Sequence, residues 1–198
     1  MSAVYRPRGL RQRLAAGILN LLGWKVVLEP PPGPKVVMVG YPHTSNVDFF
    51  YAILWAWATG RKMSWIGKRQ LFNGLMGPIM RRLGGIPVDR DKTKNFVKQV
   101  AEIFAQREEL WLVIAAEGTR SRADYWRSGF YYMALEAKVP IALAYLDYSR
   151  KEAGVGGYFM PSGDIAKDFE IVQKFYADKV GHTPKNQGPV QLKPPNNP

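Results

Sequence analysis

Two segments of the chain, 110–117 and 141–148, are apolar at almost every position, and helix-like stretches separate and follow them. A strand that is apolar on both faces must be covered on both faces, which an antiparallel sheet open to water on one side does not provide. The remaining sequence continues the alternation. Strands are predicted at 36–41, 63–68, 86–89 and 154–161, the last of them on a sheet edge. Helices are predicted at 46–58, 71–83, 93–107, 127–138 and 165–179, the second loosened by Gly74, Gly77 and Pro78. Strands that alternate with helices imply an α/β fold: a single domain, with a mostly parallel sheet flanked by helices. In such sheets, functional groups gather at the carboxyl ends of the strands.

Ahead of this pattern, Leu10, Leu14, Ile18, Leu21 and Leu22 recur at helical spacing beside Arg6, Arg8, Arg11 and Arg13. An N-terminal basic amphipathic helix is expected there. It can lie in a membrane interface or pack its leucines on the domain, and charge and periodicity do not separate the two. The run Pro30-Pro31-Pro32-Gly33-Pro34 is a stiff connector that no helix or central strand can absorb. The chain therefore divides into an amphipathic segment (1–29), a domain (30–181) and a polar, proline-rich tail (182–198) expected to be disordered.

The chain has no cysteine and two histidines among 198 residues. That excludes thiolate nucleophiles, iron–sulfur clusters and cysteine-ligated zinc, and leaves too few histidines for most catalytic zinc sites. With 28 Lys+Arg against 16 Asp+Glu, the net charge of +12 favours polyanions: nucleic acid, anionic lipid or phosphorylated substrates. The longest apolar run, 49–58, reads as a buried helix and falls far short of the roughly 18 residues that span a bilayer.

Three polar clusters follow predicted strands. In the first, His43 leaves a strand and Asp48 enters the next helix. A turn between them brings the carboxylate to one imidazole nitrogen and leaves the other free to accept a proton. Ser45 and Asp48 are also spaced as a capping box, which accounts for Asp48 without catalysis. In the second, Glu117-Gly118-Thr119-Arg120 follows the most apolar strand. Gly118 permits a sharp turn, and the amides, hydroxyl and guanidinium suit a phosphate or a developing oxyanion. In the third, Gly84-Gly85-Ile86-Pro87-Val88-Asp89-Arg90 places Arg90 at a strand end, as Lys68 closes the strand before it. Solvated loops and surface ion pairs account for these cations equally well. No G-x-S-x-G elbow, P-loop or dinucleotide loop is present.

Taken in order, these clusters resemble the glycerolipid acyltransferase family, whose best-known members acylate 1-acyl-glycerol-3-phosphate. The family's H-x4-D block matches His43 to Asp48, and its glycine-plus-arginine block matches Gly85 to Arg90. Its E-G-T-R block matches Glu117 to Arg120, and its proline-containing strand start matches Val139-Pro140-Ile141. Lys68-Arg69-Gln70-Leu71 resembles its K-x-E-L element, with Gln70 in place of the glutamate.

The resemblance implies direct acyl transfer from a thioester, acyl-CoA or acyl carrier protein as co-substrate, to the hydroxyl of a lysophospholipid. It needs no bound cofactor or metal. His43 is then the general base and Asp48 its partner. Lys68, Arg90 and Arg120 are expected to clamp an acceptor phosphate, Gly118 and Thr119 to shape the loop, and Glu117 to orient neighbouring donors. The lipid acceptor implies an anionic membrane surface as partner and a peripheral location on the cytoplasmic face of the cell membrane, with no nucleic acid. The rival readings are a different lyso-lipid acceptor, or a non-catalytic basic lipid- or nucleic-acid-binding domain.

Overall fold

The computed structural model describes residues 7–88 and 96–194. Among them the strands are β1 (Lys25–Leu28), β2 (Lys35–Tyr41), β3 (Met63–Lys68), β4 (Gly85–Val88), β5 (Leu110–Ala115), β6 (Ile141–Asp147) and β7 (Glu152–Phe159). They form one seven-stranded sheet in the order β1-β7-β6-β2-β5-β3-β4. Every pairing is parallel except that of β6 with β7. The helices are α1 (Leu10–Leu21), α2 (Val47–Thr59), α3 (Met76–Arg82), α4 (Phe96–Ala105), α5 (Gly129–Ala137) and α6 (Ile165–Tyr176).

The pleat sorts each central strand between two cores. Val36 and Met38 of β2, Trp111 of β5 and Ala142 and Ala144 of β6 meet Leu54, Trp55 and Ala58 of α2 and Ala15 and Leu19 of α1. Their neighbours Val37 and Val39, Leu110 and Leu112, and Ile141 and Leu143 face Phe104 of α4, Phe130 and Met133 of α5, and Phe169 and Val172 of α6. Side chains two apart share a face, so uninterrupted apolar runs fill both layers. The single-domain α/β expectation is met, with helices on both sides of a mostly parallel sheet.

Four expectations are corrected. First, β7 is not an edge strand, because β1 pairs along its outer side from Lys25↔Glu152 to Leu28↔Val155. Second, the predicted helix at 71–83 is split into a 3-10 turn (Arg69–Phe72) and α3, because Gly74, at φ 61, adopts a left-handed conformation between them. Third, α2 is only half buried: Trp55 is core, whereas Phe49, Phe50 and Trp57 reach solvent. Fourth, residues 182–194 of the tail expected to be disordered fold back over the sheet, and 195–198 lie outside the described residues. A short 3-10 turn, Pro184–Asn186, is followed by a bridge between Trp126 and Leu192, and Val190 and Leu192 pack on the core. Polar groups that suggested disorder, those of Thr183, Asn186 and Gln187, are here occupied in long-range hydrogen bonds.

The helix α1 resolves into two faces. Ala15 and Leu19 are buried against α2, while Leu10, Leu14, Ile18 and Leu21, spaced along one stripe, stay exposed, Leu21 at 87%. Ala15 and Leu19 thus do the packing on the domain, and the residues whose spacing marked the segment as amphipathic stand in solvent. Replacing Leu19, which is wholly buried, by alanine is expected to destabilise the protein by about 2–5 kcal/mol, measurable as a lower Tm. An unchanged Tm would mean that α1 is detached from the domain in solution.

Candidate active site

The strands β6, β2, β5 and β3 lie side by side in the sheet, all parallel, so the segments leaving their carboxyl ends share one end of the molecule. His43 comes from the loop after β2, Glu117 to Arg120 from the turn after β5, and Lys68 closes β3.

The loop from His43 to Ser45 wraps around one carboxylate. Asp48 lies in the first turn of α2, where the helix N-terminus favours negative charge, and its side chain is only 3% exposed. Its Oδ2 accepts the backbone N–H groups of Thr44 at 2.8 Å and Ser45 at 2.9 Å, and lies 3.3 Å from His43 Nδ1. One oxygen thus caps the Ser45 amide and faces the histidine, but the reciprocal half of the expected capping box is absent: Asn46 is the N-cap residue, and Ser45 Oγ accepts the Val47 N–H at 3.2 Å. Burial alone raises the Asp48 pKa. The hydrogen bonds from His43, Tyr148, Ser45 and Thr44 outweigh it and hold the carboxyl below its ordinary range. An ionised Asp48 facing Nδ1 fixes the proton there and leaves the lone pair of Nε2 to the half-exposed side of the ring.

Glu117 is equally buried, at 3% exposed, and sits between two segments. One oxygen accepts the backbone N–H of His43 at 2.9 Å, and the other accepts that of Gly188, from the folded-back tail, at 3.3 Å. Desolvation raises its pKa against the pull of these bonds and of His43. The donors that Glu117 engages are backbone amides, and one belongs to the histidine itself.

Gly118 has φ 69, and a side chain there would meet Arg127, so the turn after β5 requires glycine. Its N–H closes the turn on Ala115 O at 3.0 Å. Thr119 Oγ1 accepts the Ser121 N–H at 3.2 Å, which tightens the loop but engages no other site residue. Arg120 and Lys68 are exposed and form no ion pair or hydrogen bond among the described residues. Arg90 lies outside the described residues.

Two contributors escaped the sequence reading. The Tyr148 hydroxyl, from the turn after β6, donates to Asp48 Oδ1 at 2.7 Å across 100 residues of chain. The segment Gly181–Gln191 straps both loops: Thr183 N–H donates to Thr44 Oγ1, Asn186 Nδ2 to Thr44 O, and Gln187 Nε2 to the Tyr41 hydroxyl. No alternation or motif spacing encodes either one.

One solved structure and one family model bear on this arrangement. No curated protein sequence matches the chain significantly. The crystal structure of the 1-acyl-sn-glycerophosphate (LPA) acyltransferase PlsC from Thermotoga maritima has a similar fold, with a TM-score of 0.54 and 15% sequence identity over 81% of this chain and 74% of that one. A family model described as acyltransferase matches residues 28–145, more than half of the 198 residues. That span runs from the end of β1 into β6 and takes in the His43–Asp48 loop and the Glu117–Arg120 loop together: the chain belongs to the acyltransferase family.

Proposed function

We propose that this acyltransferase moves a fatty acyl group from a thioester, on coenzyme A or acyl carrier protein, to the hydroxyl of a lysophospholipid, 1-acyl-glycerol-3-phosphate first among the candidates. The observation that carries this reading is a half-exposed imidazole whose Nδ1 faces a buried, ionised Asp48. His43 Nε2 takes the proton of the acceptor hydroxyl as its oxygen attacks the thioester carbonyl. The new C–O bond forms, the C–S bond breaks, and the imidazolium returns its proton to the departing thiolate. No acyl group need rest on the protein, consistent with a chain that lacks cysteine. The exposed Arg120 and Lys68 supply positive charge for an acceptor phosphate and position its hydroxyl. The fold shared with PlsC supports the same reading.

The deciding experiment is a screen of the purified full chain with acyl-CoA and acyl-carrier-protein donors against a panel of lysolipids, with products read by mass spectrometry. Acylation of lysophosphatidic acid is expected. Acylation of phosphate-free acceptors alone would reassign Arg120 and Lys68 to the donor.

The acceptor resides in a bilayer, and no helix among the described residues is long and apolar enough to cross one. We infer peripheral docking through the exposed stripe of α1, helped by Arg8, Arg11 and Arg13. A second exposed apolar group, Leu71, Leu75, Met76 and Ile79, follows β3 at the site end, with Leu75 at 95% exposure. Basic residues near an anionic surface contribute about 1 kcal/mol each and are screened by salt, whereas inserted leucines are not. Binding to anionic vesicles with partial release at high salt is expected. The double substitution Leu14→Gln/Leu21→Gln, on side chains already in water, should weaken it about tenfold or more without lowering Tm. Unchanged vesicle sedimentation by that variant would remove α1 from the docking surface.

A further inference from the structure

Asp48 is held from two sides, and only one side belongs to its own loop. Oδ2 is saturated by Thr44, Ser45 and His43, whereas Oδ1 receives the Tyr148 hydroxyl at 2.7 Å. Tyr148 is itself fixed by more than one constraint. Its N–H donates to Val180 O at 2.9 Å. Its ring meets Trp24 edge-on at 4.8 Å, Tyr51 at 5.8 Å and His182 at 5.1 Å. The turn that carries it is locked by the fully buried Asp147, which accepts from Ser149 N–H at 3.0 Å, Ser149 Oγ at 2.6 Å and Arg150 Nη1 at 3.0 Å. A hydroxyl placed this firmly on a buried carboxylate is more than a packing contact.

Resting on the acyl-transfer reading above, we propose that Tyr148 is a positioning residue of the catalytic pair: its hydroxyl fixes the plane of the Asp48 carboxylate and disperses its charge. Two effects follow. With Oδ1 tied down, Oδ2 cannot swing away from Nδ1, so the imidazole keeps the orientation in which Nε2 faces the acceptor. With part of the negative charge drawn onto Oδ1, Asp48 stabilises an imidazolium less strongly than a bare carboxylate does. Burial and the neighbouring Asp48 push the phenol far upward, so it stays a donor throughout the working range. The other titratable groups nearby are Glu117, which accepts the His43 N–H, and Tyr51 and His182 against the Tyr148 ring.

The test is Tyr148→Phe in the full chain, which keeps the ring and removes one oxygen. It is compared with the parent, Asp48→Asn and the double variant. The chain has two histidines, so both imidazoles can be followed by NMR, with His182→Asn to assign them. Loss of the hydroxyl leaves a barer carboxylate against Nδ1 and is expected to move the His43 titration midpoint, and the acid limb of kcat/KM with it, to higher pH. It is also expected to lower kcat about tenfold with KM nearly unchanged. In the Asp48→Asn background, Tyr148→Phe should have no further effect on either quantity, since it acts through that carboxylate. An unmoved midpoint in folded Tyr148→Phe, or effects that simply add to those of Asp48→Asn, would overturn the proposal. The titration needs no substrate. Absence of acyl transfer by the parent protein would therefore defeat the functional reading alone, and leave the Tyr148 result standing on its own measurement.

Discussion

His43→Ala is expected to lower acyl transfer about 10²–10⁴-fold, the usual worth of a general base, while the protein stays folded. The separation of the two effects is structural. The bond that integrates this residue into the fold is its backbone N–H to Glu117 Oε2, which alanine retains, whereas the imidazole is only half buried. Steady-state turnover with the best donor and acceptor pair, alongside a thermal melt, checks both halves. Turnover near that of the parent in a folded His43→Ala protein would remove His43 from the chemistry. The proposed mechanism would fall with it.

Replacing Glu117 by alanine should act on stability first and on activity through it. The carboxylate accepts two backbone N–H groups from segments far apart in the chain, at His43 and Gly188. Removal leaves both donors without an acceptor in a buried site, at about 1–3 kcal/mol each. A loss of about 2–5 kcal/mol corresponds to a fall in Tm of roughly 5–15 °C for a chain of this size. Glu117→Gln should land between the parent and Glu117→Ala, because its amide oxygen serves one donor while its NH2 opposes the other. If Glu117→Ala melts with the parent, water has taken the place of the carboxylate and the residue is not the link described. Turnover should fall along with stability, since the His43 amide loses its anchor.

What could be read from the sequence follows the range of the interactions concerned. The strands β2, β3, β5 and β6 announce themselves by local composition, and their termini fall within about two residues of the expected ones. His43, Asp48 and Glu117 follow strand ends that later prove adjacent, so motif and fold point to the same place. The short β1 was hidden because four residues, Lys25–Leu28, resemble the end of an amphipathic segment, and its partner β7 lies far along the chain. The ordered tail was hidden for the opposite reason. Its composition argues for disorder, and what orders it is Thr44, Tyr41 and Glu117, none of them within 60 residues. The role of Ser45 with Asp48 was legible only as two rival readings. The structure makes them compatible, because the same oxygen that caps also faces the imidazole.

The strap Gly181–Gln191 sets a limit on heat tolerance that the sheet does not. It is held to the rest of the protein by hydrogen bonds, those to Tyr41, Thr44 and Glu117 among them, and Val190 is its one apolar side chain packed on the core, while the strands below carry two full cores. Segments with few apolar contacts open at lower free-energy cost than the molecule as a whole. Lifting the strap frees Glu117 of one partner and Thr44 of two, yet leaves every strand in place. On warming, the enzyme should therefore fall silent before it melts, and on cooling it should recover without having to refold.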